Sequence, residues 1–101
     1  MFTWLNKQGV QSDKGFVVQR TGRFTAEYRE GAKRMTVDVE SGLTGGKPSI
    51  IVDPHAFERW DGDPEGSRLP SEKQAQILEN FKAAMEFQGL VLAVEAPMNK
   101  G

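Results

Sequence analysis

The segment from Pro70 to Gly89 constrains the fold most, because it reads as a capped helix in a chain otherwise patterned for strands. Ser71 stands at an N-cap position, and Gln74 three residues on completes a capping box. Ile77, Leu78, Phe81, Ala84 and Met85 recur at helical spacing and form one apolar stripe. Gly89 supplies the C-terminal stop. A helix with one apolar stripe must bury it, and here the remaining chain offers a sheet.

The strand signals begin at Gly15. Phe16, Val17 and Val18 form a short apolar run, and Thr21-Gly22-Arg23 reads as a turn. Phe24, Ala26 and Tyr28 then alternate with Thr25, Glu27 and Arg29. Glu30-Gly31-Ala32 connects to a second alternating segment, with Met35, Val37 and Val39 on one side and Arg34, Thr36, Asp38 and Glu40 on the other. This is the pattern of an antiparallel meander with one wet face. Ser41 to Pro48 reads as a loop, and Ile50-Ile51-Val52 as an apolar strand ended by Asp53-Pro54. A brief helical turn is expected through Trp60, then turn chemistry to Pro70. Leu90 to Val94 reads as a buried strand. The expectation is an α+β fold: an antiparallel sheet of about five strands, meander plus C-terminal strand, with one long amphipathic helix packed on one face. Residues 1–14, which carry Trp4 and Leu5 before turning polar, are expected as an N-terminal segment docked on the domain, residues 15–96 as a single domain, and 97–101 as a frayed tail.

A chain of 101 residues has room for one core. Its 14 acidic and 13 basic residues give no footprint for nucleic acid or a membrane surface, so neither partner is expected. The absence of cysteine removes disulfides and thiolate sites and fits the cytoplasm. No stretch approaches the ~20 apolar residues of a membrane span, and the N-terminal residues do not read as a secretory leader.

Little in the sequence points to catalysis. The single histidine, His55, lies in an Asp-Pro-His turn, and no Gly-x-Ser-x-Gly elbow accompanies it. Asp38 and Glu40 share one strand face, which reads as a solvated surface pairing with arginines across the sheet. No catalytic residue and no cofactor are therefore assigned. Asp61 to Glu72 approaches an EF-hand loop, with acids at positions 1, 3, 5 and 12 and Gly66 at position 6. Arg68 at position 8 and Pro70 at position 10 work against it, and no metal ligand is assigned. A calcium- or metal-binding domain using residues 61–72 stands as the alternative reading, and a small enzyme with a carboxylate site as a second.

The same region reads better as an interaction surface. Asp53 to Glu65 holds five acids against one arginine, a formal charge of −4 with His55 neutral. An aromatic beside an arginine within a charged rim is the composition of an interface hot spot. The candidate partner-binding residues are Glu58, Arg59, Trp60, Asp61, Asp63 and Glu65. Trp60 has a second reading, as a plug at the end of the core. Phe87 falls off the helical stripe and is expected to find cover near Trp4.

Several motifs together bear a family likeness. Arg20-Thr21-Gly22-Arg23 leads to Tyr28-Arg29-Glu30-Gly31 and an alternating strand ending in Glu40. Trp60-Asp61 with its Gly/Pro turn, Pro70-Ser71-Glu72 and Ile77 to Gly89 follow. From about Gly15 to Val94 the chain resembles the immunity protein 74 family of bacterial polymorphic toxin systems. The resemblance implies a stoichiometric inhibitor, made in the cytosol, that protects the producing cell from a toxin domain. The partner it implies is a protein, and an acidic loop would suit a basic, nuclease-type target by mimicking phosphate charge.

Overall fold

The computed structural model describes residues 1–64 and 66–95, and among these it places seven strands and one helix. The strands are β1 (Phe2–Asn6), β2 (Gly9–Ser12), β3 (Phe16–Arg20), β4 (Thr25–Glu30), β5 (Lys33–Thr44), β6 (Lys47–Val52) and β7 (Val91–Val94); α1 spans Ser71–Phe87. Their order in space follows their order in sequence. Antiparallel pairing runs from β1 through β6, and β7 joins β6 in parallel. The connection from β6 to β7 is the one that carries α1, as a parallel pair requires.

The expected five-stranded antiparallel sheet is therefore wrong in number and in kind: the sheet is mixed, seven-stranded and curled into a half-barrel around a helix of 17 residues. Residues 1–14 do more than dock, since they build β1 and β2. Most of the expected loop at 41–48 is strand, and only Gly45 and Gly46 turn the corner between β5 and β6. Both have positive φ, 59° and 82°, which suits a tight hairpin. No helical turn forms between Asp53 and Trp60, where the chain makes turns. Of the expected frayed tail, all five residues lie outside the described ones.

β5 explains the curl. Its first half, Lys33 to Asp38, pairs with β4; its second half, Val39 to Thr44, pairs with β6. No residue of β5 pairs on both sides in these ladders, so one bent strand joins two half-sheets. Alternation puts Val10, Phe16, Val18, Ala26, Tyr28, Met35, Val37, Val39, Ile50 and Val52 in the buried core. Ile77, Phe81, Ala84 and Met85 of α1 complete that core.

The helix begins differently from its sequence signal. Pro70 is the N-cap, no side chain caps it, and Ser71 is already helical. Gln74 turns back to donate its side-chain amide to the Leu69 carbonyl at 2.8 Å. At the other end the Gly89 φ of 83° reverses the chain, and the Leu90 N–H closes on the Met85 carbonyl at 2.9 Å.

An aromatic row runs along one end of the sheet. Phe2 meets Phe16 edge-on at 5.7 Å, Phe16 stacks on Tyr28 at 5.6 Å, and Tyr28 stacks on Trp60 at 6.1 Å. Phe87 closes the row at the β1 end, 5.4 Å from Phe2 and 5.7 Å from Trp4.

Candidate functional site

The chain between β6 and α1 is irregular but held at several points. The Asp53 carboxylate accepts the His55 N–H at 2.7 Å, which turns the chain as it leaves β6. Phe57 and Trp60 then insert into the core, 3% and 5% exposed. The Leu69 N–H donates to the Glu58 carbonyl at 2.7 Å and closes the loop on itself. Gly62 and Gly66 take φ of 88° and 89°, conformations that glycine adopts without steric cost.

Asp61 ties this loop to the sheet. Its backbone N–H donates to the Arg34 carbonyl at 2.8 Å. Its carboxylate accepts the Thr36 N–H at 3.1 Å and the Thr36 hydroxyl at 2.6 Å. These groups belong to the half of β5 that β6 leaves unpaired, so Asp61 satisfies an otherwise open strand edge.

Two open depressions flank Trp60-Asp61. One, about 970 Å³, is lined by Thr36, His55, Glu58, Arg59, Asp61 and Arg68 among others. There the Glu58 carboxylate sits 2.8 Å from His55 Nδ1 and accepts from Arg68 at 3.1 Å. The other, about 520 Å³, sets Arg29, Lys33 and Arg34 of the β4–β5 hairpin against Asp61 and Asp63. The acidic segment therefore does not face a partner as a uniform field. Arginine and lysine from elsewhere in the fold stand beside it, and the surface carries both signs.

Of the six candidate residues, Glu58, Arg59, Trp60 and Asp61 line the larger depression, and Trp60, Asp61 and Asp63 the smaller. The Trp60 ring is committed to Tyr28 and the core, and the Asp61 carboxylate to Thr36. Glu65 lies outside the described residues. Among the described residues no three His, Asp or Glu side chains converge on a metal position. Asp38 and Glu40 are exposed on the outer face of β5.

A second cluster has no counterpart in the sequence reading. The Tyr28 hydroxyl donates to Glu30 at 2.5 Å and accepts from the Asn80 side-chain amide at 2.9 Å. The other Glu30 oxygen takes Lys73 at 2.6 Å. Glu30 pairs across from Phe16, on the helix-facing side of β4, so strand alternation aims a carboxylate at α1. Burial pushes the Tyr28 phenol well above its ordinary value, and the adjacent Glu30 pushes it further. Burial pulls Glu30 upward too, but hydrogen bonds from Lys73 and Tyr28 outweigh it and hold the carboxyl below its ordinary value. The cluster lies beside a cavity of about 500 Å³ that Lys14 and Gln76 also line. Its evident work is to tie α1 to β4. The sequence signal was parity: Glu30 continues the series Ala26, Tyr28 on the core face.

Compared with protein-family models, with curated proteins and with solved structures, the chain matches none. Among the described residues no helix is long and apolar enough to cross a membrane.

Proposed function

We propose that this chain is a protein-binding module of the immunity type, a stoichiometric inhibitor that acts in the cytoplasm by covering a toxin domain's functional site. The observation that carries this reading is the attachment of the loop between β6 and α1. Phe57 and Trp60 anchor it in the core and Asp61 fastens it to β5, so its outward charges are held in place before any partner arrives. A surface ordered in advance loses less conformational entropy on binding than a mobile loop does. The motif resemblance to immunity proteins points the same way.

The mixed charge changes which residues a test should target. Asp61 holds the loop, so reversing it would disturb the fold; Arg59 and Asp63 are the better probes. The test starts from the neighbouring genes: a toxin domain found there is titrated against this chain by calorimetry, and the absence of one counts against the reading. One-to-one binding, protection of cells expressing that toxin, and loss of both in a chain carrying Arg59→Glu and Asp63→Lys support the reading. Binding and protection that are absent in the unaltered chain overturn it. Retention of both in the double variant removes the loop from it.

A further inference from the structure

We infer that β1 is a self-pairing edge and that two copies of this chain associate through it about a two-fold axis at Thr3. Among the described residues β1 is the outermost strand on its side of the sheet. Its pairing with β2 sets which backbone groups are free. The Asp13 N–H donates to the Met1 carbonyl at 3.0 Å, in register with Thr3↔Gln11. Antiparallel ladders alternate, so Met1 and Thr3 bond inward to β2, while Phe2 and Trp4 point their N–H and C=O groups to the open edge. β2 follows the same alternation on its other side, where the Arg20 N–H bonds the Gln8 carbonyl at 2.9 Å.

That free edge is complementary to itself. In an antiparallel pair of β1 strands centred on Thr3, Phe2 of each copy lies opposite Trp4 of the second. Both residues carry outward backbone groups, so each Phe2–Trp4 pair exchanges two hydrogen bonds and the edge makes four. Thr3 then faces Thr3 of the second copy as a non-hydrogen-bonded pair, a cross-strand combination that sheets favour. The side chains agree with the backbone. Trp4 is 49% and Phe87 44% exposed, with Phe2 half-buried beside them, so the aromatic row ends in rings that a second copy would cover. Phe2 to Asn6 carries no charge; of the two charges that flank it, the Met1 ammonium is paired with Asp13 at 2.7 Å and Lys7 lies in the turn beyond the strand. Lysine, proline and inward charge, three guards that keep an edge strand single, are missing from Phe2–Asn6, and the guard that is present, an irregularity between Trp4 and Asn6, lies at the far end of the strand. The register shift between Trp4 and Asn6 ends the regular edge, so the pairing is short and the dimer concentration-dependent.

The absence of cysteine allows a direct test. Non-hydrogen-bonded antiparallel partners have Cα atoms roughly 4.5 Å apart, within disulfide reach. Thr3→Cys should oxidise to a covalent dimer at least ~10-fold faster than Lys47→Cys, a control at the exposed start of β6, as the local effective concentration demands. Sedimentation of the unaltered chain should show a monomer–dimer equilibrium, and Trp4→Lys, with far-UV circular dichroism unchanged, should shift it to monomer. A chain that stays monomeric at about 500 μM, with Thr3→Cys no faster than the control, overturns the proposal. Open-ended assembly, or a dimer that survives Trp4→Lys, overturns it equally. If Trp4→Lys does not fold, the cysteine comparison decides alone.

Discussion

Asp61 completes the free edge of β5 through Thr36, whose amide and hydroxyl both end on its carboxylate, at 3.1 and 2.6 Å. Removing that carboxylate should leave a strand edge without its partner. Asp61→Ala should cost about 0.5–1.5 kcal/mol in urea denaturation, since water can replace the lost acceptor at this exposed edge. Asp61→Asn keeps one acceptor oxygen and should lose less. Hydrogen exchange gives the local readout: the Thr36 amide should lose protection in Asp61→Ala while amides of β2 and β3 keep theirs.

The two tryptophans should report opposite environments. Trp60 is stacked in the core and Trp4 is half exposed. At dilutions where the chain is monomeric, Trp4→Phe should leave blue-shifted emission resistant to iodide, and Trp60→Phe should leave red-shifted, readily quenched emission. Trp60→Ala should cost about 3–5 kcal/mol, since it opens a cavity beside Tyr28 and detaches the loop.

The Tyr28–Glu30–Lys73 cluster should shape stability at both ends of the pH range. Glu30 has a folded-state value below its unfolded one, so its contribution is present above the ordinary carboxylate range and is lost as pH falls through the folded value. Tyr28 has a raised value, so its contribution is complete below a pH of about 10 and is lost as pH climbs beyond it. Lys73→Met should lower stability near neutrality by on the order of 1 kcal/mol. It should also flatten the acid limb of the stability profile measured by thermal melting.

Gly9 should tolerate no side chain. A Cβ there would stand 2.5 Å from Cβ of Gln19 on the neighbouring strand, where neither backbone can yield cheaply. Gly9→Ala should destabilise the chain by about 1–3 kcal/mol. The loss should appear first as weakened exchange protection in β2 and β3.

What the sequence disclosed and what it hid follow from range. The helix was legible because its periodicity and its Gly89 stop are local, although its expected Ser71 cap is replaced by Pro70. β4 and the first half of β5 were legible because alternation over six residues is a strand signal, and β3 because Phe16-Val17-Val18 is a short apolar run. β2 was hidden because its buried positions include Gly9 and Ser12, small or polar residues that break the apolar pattern. The second half of β5 was hidden because Ser41 and Leu43 overhang the core, and an exposed strand end leaves no burial pattern. The parallel partner of β7 lies about 40 residues away in sequence, and no local pattern encodes such a distance. Asp61 was hidden for a related reason: an aspartate that caps a distant strand edge looks, in one dimension, like an aspartate in water. The same blindness made the acidic segment look uniformly negative, since Arg29, Lys33 and Arg34 reach it only through the fold.

The placement of α1 after six of the seven strands has a consequence for biosynthesis. The meander emerges from the ribosome first and zips from short-range hairpins, each within reach of its neighbour. Its greasy side then waits uncovered until about 35 more residues, Asp53 to Phe87, have been translated, a pause of a few seconds at roughly 5–20 residues per second. During that pause the nascent sheet is a natural client for holdase chaperones. Only with Ile77, Phe81 and Met85 synthesised can the chain seal itself, so truncation before residue 71 should yield an aggregating fragment and not a smaller protein.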